Sequence, residues 1–397
     1  MKTFIPLVLL CALIYGCGTS QDKSGLPVID LTQQYPKKDI VLQDIANVEY
    51  ISLNAKDAPL IGQVQIGYIS NDCYILYDSM HGDVFVLDQN GKARNHFNHK
   101  GNGSKEYMFA SHLTFDPVAD EIYILDANGS NGILVYTGEG IFVRHFPDLA
   151  RQNIAEIYDF DDQTLIAYFA PSSADPDNLN HTDPYVFISK LKGTIESRVN
   201  LHFSQRLSNR IMIPLGDGAV APILIATSES RKYGHNFVIA DRSADTLYIL
   251  SQNHVLTPIL ARTPSVFAQD PFVAWSVGLM TDQFICMGAL EYNFEMLKRQ
   301  FINNQPLGDL KSQDYLYFFK SHEIFIPHFI NVDWPSKKAS VEMNRVSVRE
   351  KNMSARIIQA DRLADALEKG ELHGKLKEVA QTLSYDDNPV LMLLRYK

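Results

Sequence analysis

The sequence predicts an all-β fold, a β-propeller with a short helical addition near the C-terminus. Two observations carry the propeller. Short strand-like runs are separated by turn residues along most of the chain. One register of strands and glycines also returns along the sequence at a spacing of roughly 40–50 residues, the period of a blade. A third observation places the helices. Residues with helical spacing of apolar side chains are concentrated at about 355–383.

The stretch from Gly101 to Phe146 shows one blade. Its runs Leu113–Phe115, Glu121–Leu125, Ile133–Tyr136 and Ile141–Phe146 are divided by Asp116-Pro117, Asn128-Gly129 and Gly138-Glu139-Gly140. Such spacing predicts an antiparallel meander. One small sheet cannot bury both faces alone, so it needs copies beside it.

The copies align without gaps. Tyr74-Ile75-Leu76 falls over Tyr123-Ile124-Leu125, and Val84–Leu87 over Ile133–Tyr136. Gly91 then falls over Gly140, and His96-Phe97 over His145-Phe146. A third copy places Phe237–Ile239, Leu247–Leu250 and Ile259–Leu260 in the same register, with His254 where the glycine stands. A partial fourth is Val186–Ser189 with Gly193 and Val199. A tight turn between strands often needs a positive φ, which glycine adopts without steric cost.

The chain then divides in order. Residues 1–16 carry Lys2 followed by the apolar run Phe4–Leu13, the length of a secretory signal peptide rather than a membrane span. The run ends in Ile14-Tyr15-Gly16-Cys17, which resembles the bacterial lipobox. That resemblance implies diacylation of the Cys17 thiol, cleavage before it, and membrane lipid as a partner through the acylated cysteine. The alternative is an ordinary cleaved signal with an incidental cysteine. Gly18, where many inner-membrane lipoproteins carry Asp, implies an outer-membrane address. Residues 17–27 are polar and are expected to form a flexible tether.

Residues 28–397 are assigned to the propeller. Ile40–Leu53 is expected to open the first blade. Pro171–Asn178 has the composition of an exposed loop, and Pro214–Arg231 that of an irregular insertion. Strand sets are expected at Phe272–Met287 and Tyr315–Ile326. The stretch Ala355–Leu383, broken near Gly370 and Gly374, predicts two short amphipathic helices packed on the propeller. A last strand at about 390–396 is expected to share a blade with the other chain end, closing the ring.

Composition sets limits on function. The net charge of −10 argues against a nucleic-acid partner, whose phosphates select basic patches. It leaves glycans, peptides and envelope proteins open. Of four cysteines, Cys11 lies in the signal and Cys17 is the proposed anchor, leaving Cys73 and Cys286 as buried thiols rather than a disulfide.

Gly101–Phe146 is similar to an NHL-type repeat, through Gly101, Gly103, Tyr107, Asp116, Ile124-Leu125-Asp126, Ile133, Val135-Tyr136 and Gly140. The whole mature chain resembles the six-bladed β-propeller lipoproteins of Bacteroidetes. Its lipobox, the V-E-Y-I-S-L run at Val48–Leu53, the G-N-G-S-K-E-Y segment, the late helical stretch and the Asp386–Leu391 ending carry the likeness. Ser104-Lys105 departs from the Pro-Gly that relatives tend to have before Glu-Tyr. The resemblance implies six blades and an envelope setting, not a reaction.

No convergent catalytic set stands out. Gly101-Asn102-Gly103 with Lys100 and Lys105 lacks the order of a P-loop and reads as a blade connection. His81, His96, His99 and His112 lack metal-ligand spacing, and Asp159, Asp161 and Asp162 read as a solvated hairpin turn. Ser79 and His81 lie outside any nucleophile elbow. No metal or cofactor is expected. Tyr292 and Phe294, with Phe301, are the candidate ligand-binding aromatics, with blade packing as the alternative role. The expected function is that of a binding or scaffold module in an envelope assembly or nutrient-uptake system. The alternative is a glycan-active hydrolase or lyase using the central funnel. Converging carboxylates or histidines at the funnel would favour the enzyme.

Overall fold

The computed structural model describes residues 20–21, 25–54, 59–126, 129–150, 152–171, 178–208, 210–216, 218–224, 228, 230–269, 272–292, 312–335 and 351–397. Their strands form the blades of a six-bladed β-propeller. Blade one runs from Gln65–Ile69 to Ala93–Asn98, and blade two from Ala110–Asp116 to Phe142–Phe146. Blade three runs from Ile154–Asp159 to Ile195–Arg198, and blade four from Arg231–Tyr233 to Leu256–Thr263. Blade five runs from Phe272–Met280 to Ile324–Ile330. Blade six pairs Met353–Ile358 with Val390–Tyr396, and that strand with Ala46–Ser52.

The core lies between blades. Ile75 and Val84 of blade one pack with Leu113 and Ile124 of blade two. Leu125 and Val135 of blade two pack with Leu165 and Val186 of blade three. Further clusters join blades three and four, and blades four and five. Leu391 and Leu393 of blade six meet Tyr74 and Leu76 of blade one, which closes the ring. Each sheet is therefore apolar on both faces, as Cys73–Tyr77 shows by being buried throughout.

The repeat register holds in three dimensions. Gly91, Gly140 and Gly193 have φ of 79°, 78° and 69°, and His254 takes φ 61° in the same turn of blade four. All three glycines also face a crowded neighbour, and a Cβ on Gly91 would lie 2.7 Å from Ile51. A Cβ on Gly140 would lie 2.6 Å from Phe97 of the preceding blade, and one on Gly193 would lie 2.3 Å from Phe146. The turn thus needs glycine for its φ and for the close approach of the preceding blade.

Several boundaries differ from the sequence expectation. Ile40–Leu53 does not open blade one. Ala46–Ser52 is the outer strand of blade six, and Lys37–Val41 joins blade five, parallel to Ile324–Ile330. Pro27–Asp30 likewise adds a parallel strand to blade four. The N-terminal segment therefore runs along the outer edges of blades four, five and six in turn, covering edges that would otherwise expose unpaired backbone. Ser20–Gln21, inside the expected tether, pairs with Pro27–Val28.

Pro214–Arg231 is not irregular throughout. Arg210–Gly216 and Ala219–Leu224 form a hairpin, and Arg231 starts blade four. The strand sets at Phe272–Met287 and Tyr315–Ile326 belong to one blade, split by residues outside the described set. Residues 172–177, within the loop expected at Pro171–Asn178, also lie outside it.

The helical stretch begins later than residue 355, because Met353–Ile358 is the inner strand of blade six. Helices Ala360–Glu368 and Gly374–Ala380 follow, between the first two strands of that blade. Leu363, Ala366, Leu376 and Ala380 pack on Leu42, Val48, Val390 and Met392. The helices are an insertion in the closing blade, buried on one face as their amphipathic spacing requires. Cys73 and Cys286 are buried free thiols.

Candidate functional site: the central funnel

The first strands of blades one, two, three, four and six line a cavity of about 590 Å³. Gln65, Ile66 and Gly67 enter it from blade one, and His112 and Leu113 from blade two. Glu156 and Tyr158 enter from blade three, Arg231 from blade four, and Arg356 and Ile357 from blade six. Arg362 lines it from the first turn of helix Ala360–Glu368, its guanidinium 6.0 Å from the Trp334 ring. The volume suits a small molecule.

Arg231 is placed by a polar anchor on its own chain. Ser230 Oγ lies 2.8 Å from the Tyr185 hydroxyl and accepts from Ala240 N at 3.0 Å, fixing the backbone just before Arg231. Arg231 is only 6% exposed. Its Nη2 is buried and has no hydrogen-bond partner among the described residues. Burial pushes its guanidinium down to about 10, against partial support from Tyr158, Cys286, Tyr396 and Tyr233.

The other polar groups are better served. Tyr158 donates to Glu156 Oε2 at 2.8 Å, and Tyr77 donates to Gln65 Oε1 at 2.7 Å. The His112 ring stands edge-on to Tyr158, 5.0 Å between centroids. Among the described lining residues the funnel thus holds three guanidiniums, one carboxylate and one imidazole. General acid–base work on a glycosidic bond ordinarily uses two carboxylates facing each other. Among the described residues that line it, the funnel offers Glu156 alone.

Beside the funnel, charge is spent on holding blades together. Lys190 Nζ lies 2.6 Å from Asp116 Oδ2 and 2.5 Å from Asp159 Oδ1. Lys232 Nζ bonds the other Asp159 oxygen. This buried chain of charges joins blades two, three and four. Asp159, expected in a solvated turn, is therefore an interior ion-pair partner. Asp161 does shape the turn, accepting from Gln163 N at 2.9 Å and Thr164 N at 2.7 Å.

The remaining sequence candidates are dispersed. The Gly101–Tyr107 segment connects blades one and two, with the buried Tyr107 hydroxyl donating to Gly82 O at 2.5 Å. His96 pairs with Phe85 and His145 with Leu134, the matched positions that the repeat requires. Among the described residues no cluster of His, Cys, Asp or Glu could hold a metal. Tyr292 ends the second strand of blade five, its backbone opposite Phe272. Phe294, Phe301 and Cys17 lie outside the described residues. No described helix is long and apolar enough to cross a membrane.

Fold and site define a six-bladed β-propeller with a cation-lined axial cavity. A family model described as a six-bladed β-propeller, DUF5128, matches residues 18–211. Among solved structures, the chain is similar to a Bacteroides fragilis protein described as exported. The identity is 15%, covering 93% of this chain and 99% of that one, with a TM-score of 0.62. It is also similar to a member of the DUF4221 family from Bacteroides vulgatus. There the identity is 10%, covering 89% and 99% of the two chains, with a TM-score of 0.47. No curated protein matches.

Proposed function

We propose that the chain is an outer-membrane-anchored lipoprotein of the bacterial envelope whose propeller acts as a binding module. The composition of the funnel carries the binding half of this reading. Among the described residues, a cavity of about 590 Å³ is lined by three guanidiniums and a single carboxylate, a set suited to holding a ligand rather than to paired acid–base chemistry. The lipobox ending at Cys17 carries the anchoring half, and the likeness to a protein described as exported supports it. The acyl chains would hold the protein close to the outer edge of blade four, where the N-terminal segment joins the disc.

The test uses tagged full-length protein in its native envelope. Wild type is expected in the outer-membrane fraction and Cys17→Ser in the soluble one. Capture of the wild type is expected to bring a stoichiometric envelope partner or a bound small molecule. Identical fractionation of the two forms would remove the anchor. Turnover of a glycan by the purified chain would replace binding with catalysis.

A further inference from the structure

We propose that the funnel binds a small ligand carrying an oxyanion, of about monosaccharide size, and that the negative charge pairs with Arg231. The proposal deepens the binding reading and rests on it in taking the funnel as the ligand site.

The argument starts from an unbalanced charge. Arg231 is 6% exposed, and its Nη2 has no hydrogen-bond partner among the described residues. A buried guanidinium without a counter-charge is costly, so folded proteins pair it or hydrogen-bond it. Its ionisable neighbours include Tyr233, Cys286 and Tyr396, and burial pushes each of them up, which keeps them neutral near pH 7. They offer no anion.

The surroundings raise the imbalance. Arg356 and Arg362 line the same cavity, so among the described lining residues the guanidiniums outnumber the one carboxylate, Glu156. Glu156 already accepts the Tyr158 hydroxyl. The chain as a whole carries −10, so the cationic funnel is not a sample of a basic surface. An acidic exterior around a cationic, low-dielectric cleft concentrates the field in the cleft. Arginine, unlike lysine, presents a planar fork that fits a carboxylate or a phosphate bidentately. A cavity of about 590 Å³ is large enough for a sugar acid or a sugar phosphate.

Thermal melts and calorimetry on the full-length chain test this with three probes at matched ionic strength: D-glucuronate, glucose 6-phosphate and glucose. At about 10 mM, tenfold above a weak Kd near 1 mM, a charged sugar is expected to raise Tm by about 2 °C while glucose leaves it unchanged. A response to glucuronate alone identifies a carboxylate ligand, and one to the phosphate alone a phosphate ester. Arg231→Met is expected to abolish the response. It should also leave the unliganded Tm equal or higher, because an uncompensated buried charge is gone. A purely structural arginine would instead lower that Tm. Should Arg231→Met fail to fold, Arg356→Gln is expected to weaken binding of the charged sugar about tenfold. Three results overturn the proposal: no shift with either anion, or a response from wild type that persists in both variants, or an equal response to glucose. The last would leave a funnel that binds ligands and remove its selectivity for charge.

Discussion

Leu391 lies opposite Ile51, so the last strand of the chain and one of the earliest meet in a single sheet. Leu391 is fully buried and packs with Tyr74 and Leu76 of blade one. The contact therefore closes the ring in two ways, by the strand ladder and by the joint to the next blade. Leu391→Ala is expected to cost about 2–5 kcal/mol, the range for a buried leucine whose site collapses incompletely. Deleting Val390–Lys397 should abolish the cooperative melt, because it removes the middle strand of blade six. Chemical denaturation checks both, and an unchanged midpoint would count against closure.

Asn388 secures the same joint just before that strand. Its Oδ1 accepts from Ile61 N at 2.7 Å, and its Nδ2 donates to Leu53 O at 3.1 Å and Pro59 O at 2.9 Å. The side chain is 3% exposed, so water cannot replace these bonds. Asn388→Ala is expected to cost about 2–4 kcal/mol, the sum of orphaned backbone groups and a small void. Asn388→Asp keeps the acceptor but sets a carboxylate against two carbonyls, and should be no better at pH 7. Hydrogen exchange at Ile61 gives a local readout, and full protection in the alanine variant would refute the role.

The sequence made the blades legible and the funnel illegible for one physical reason. Blades are local: Gly91, Gly140, Gly193 and His254 repeat one turn, and the strands beside them carry apolar side chains on both faces. The funnel is assembled from a few residues on each of several blades. Arg231, beside Lys232, and Arg356 each sit in a short strand where a charged residue looks like a solvent-facing position. Only ring closure brings them to one cavity. The N-terminal strands were hidden for another reason. Lys37–Val41 is mostly exposed and charged, and it joins its blade through backbone pairing that leaves no apolar period. Blade five was divided in two by the residues between Tyr292 and Ser312, which broke the repeat spacing.

The Lys190 network predicts a defined response to pH. Burial alone would raise the Asp116 carboxyl, but its bond to Lys190 holds it below the ordinary 3.8. Burial alone would lower Lys190, but Asp159 and Asp116 hold it above the ordinary 10.5. The depressed carboxyl contributes stability above its unfolded value, lost as pH falls through its folded value. The raised ammonium contributes stability below its unfolded value, lost as pH rises through its folded value. Both contributions are thus complete between the two ordinary values. Lys190→Met leaves Asp116 buried and unpaired, and is expected to cost about 3–5 kcal/mol at pH 7. Desolvation then governs Asp116 and raises it, so the deficit should shrink as pH falls toward about 4.5. Denaturation at the two pH values measures the gap, and a constant gap would refute the pairing.

Turn chemistry gives the sharpest contrast between matched positions. At Gly193 a Cβ would sit 2.3 Å from Phe146, at a φ of 69°. Gly193→Ala therefore meets both backbone strain and overpacking, and is expected to cost about 2–4 kcal/mol. His254 holds the equivalent turn at φ 61°, and its ring stacks on Phe187 with centroids 4.2 Å apart. The stack offsets the strain of a left-handed residue, worth about 1 kcal/mol on each side. His254→Gly should relieve the strain and lose the stack, a net change within about 1 kcal/mol. His254→Ala keeps the strain and loses the stack, so it should be the less stable of the two variants. Equal midpoints for the glycine and alanine forms would show that φ does not matter at this turn, and the repeat register would lose its physical basis there.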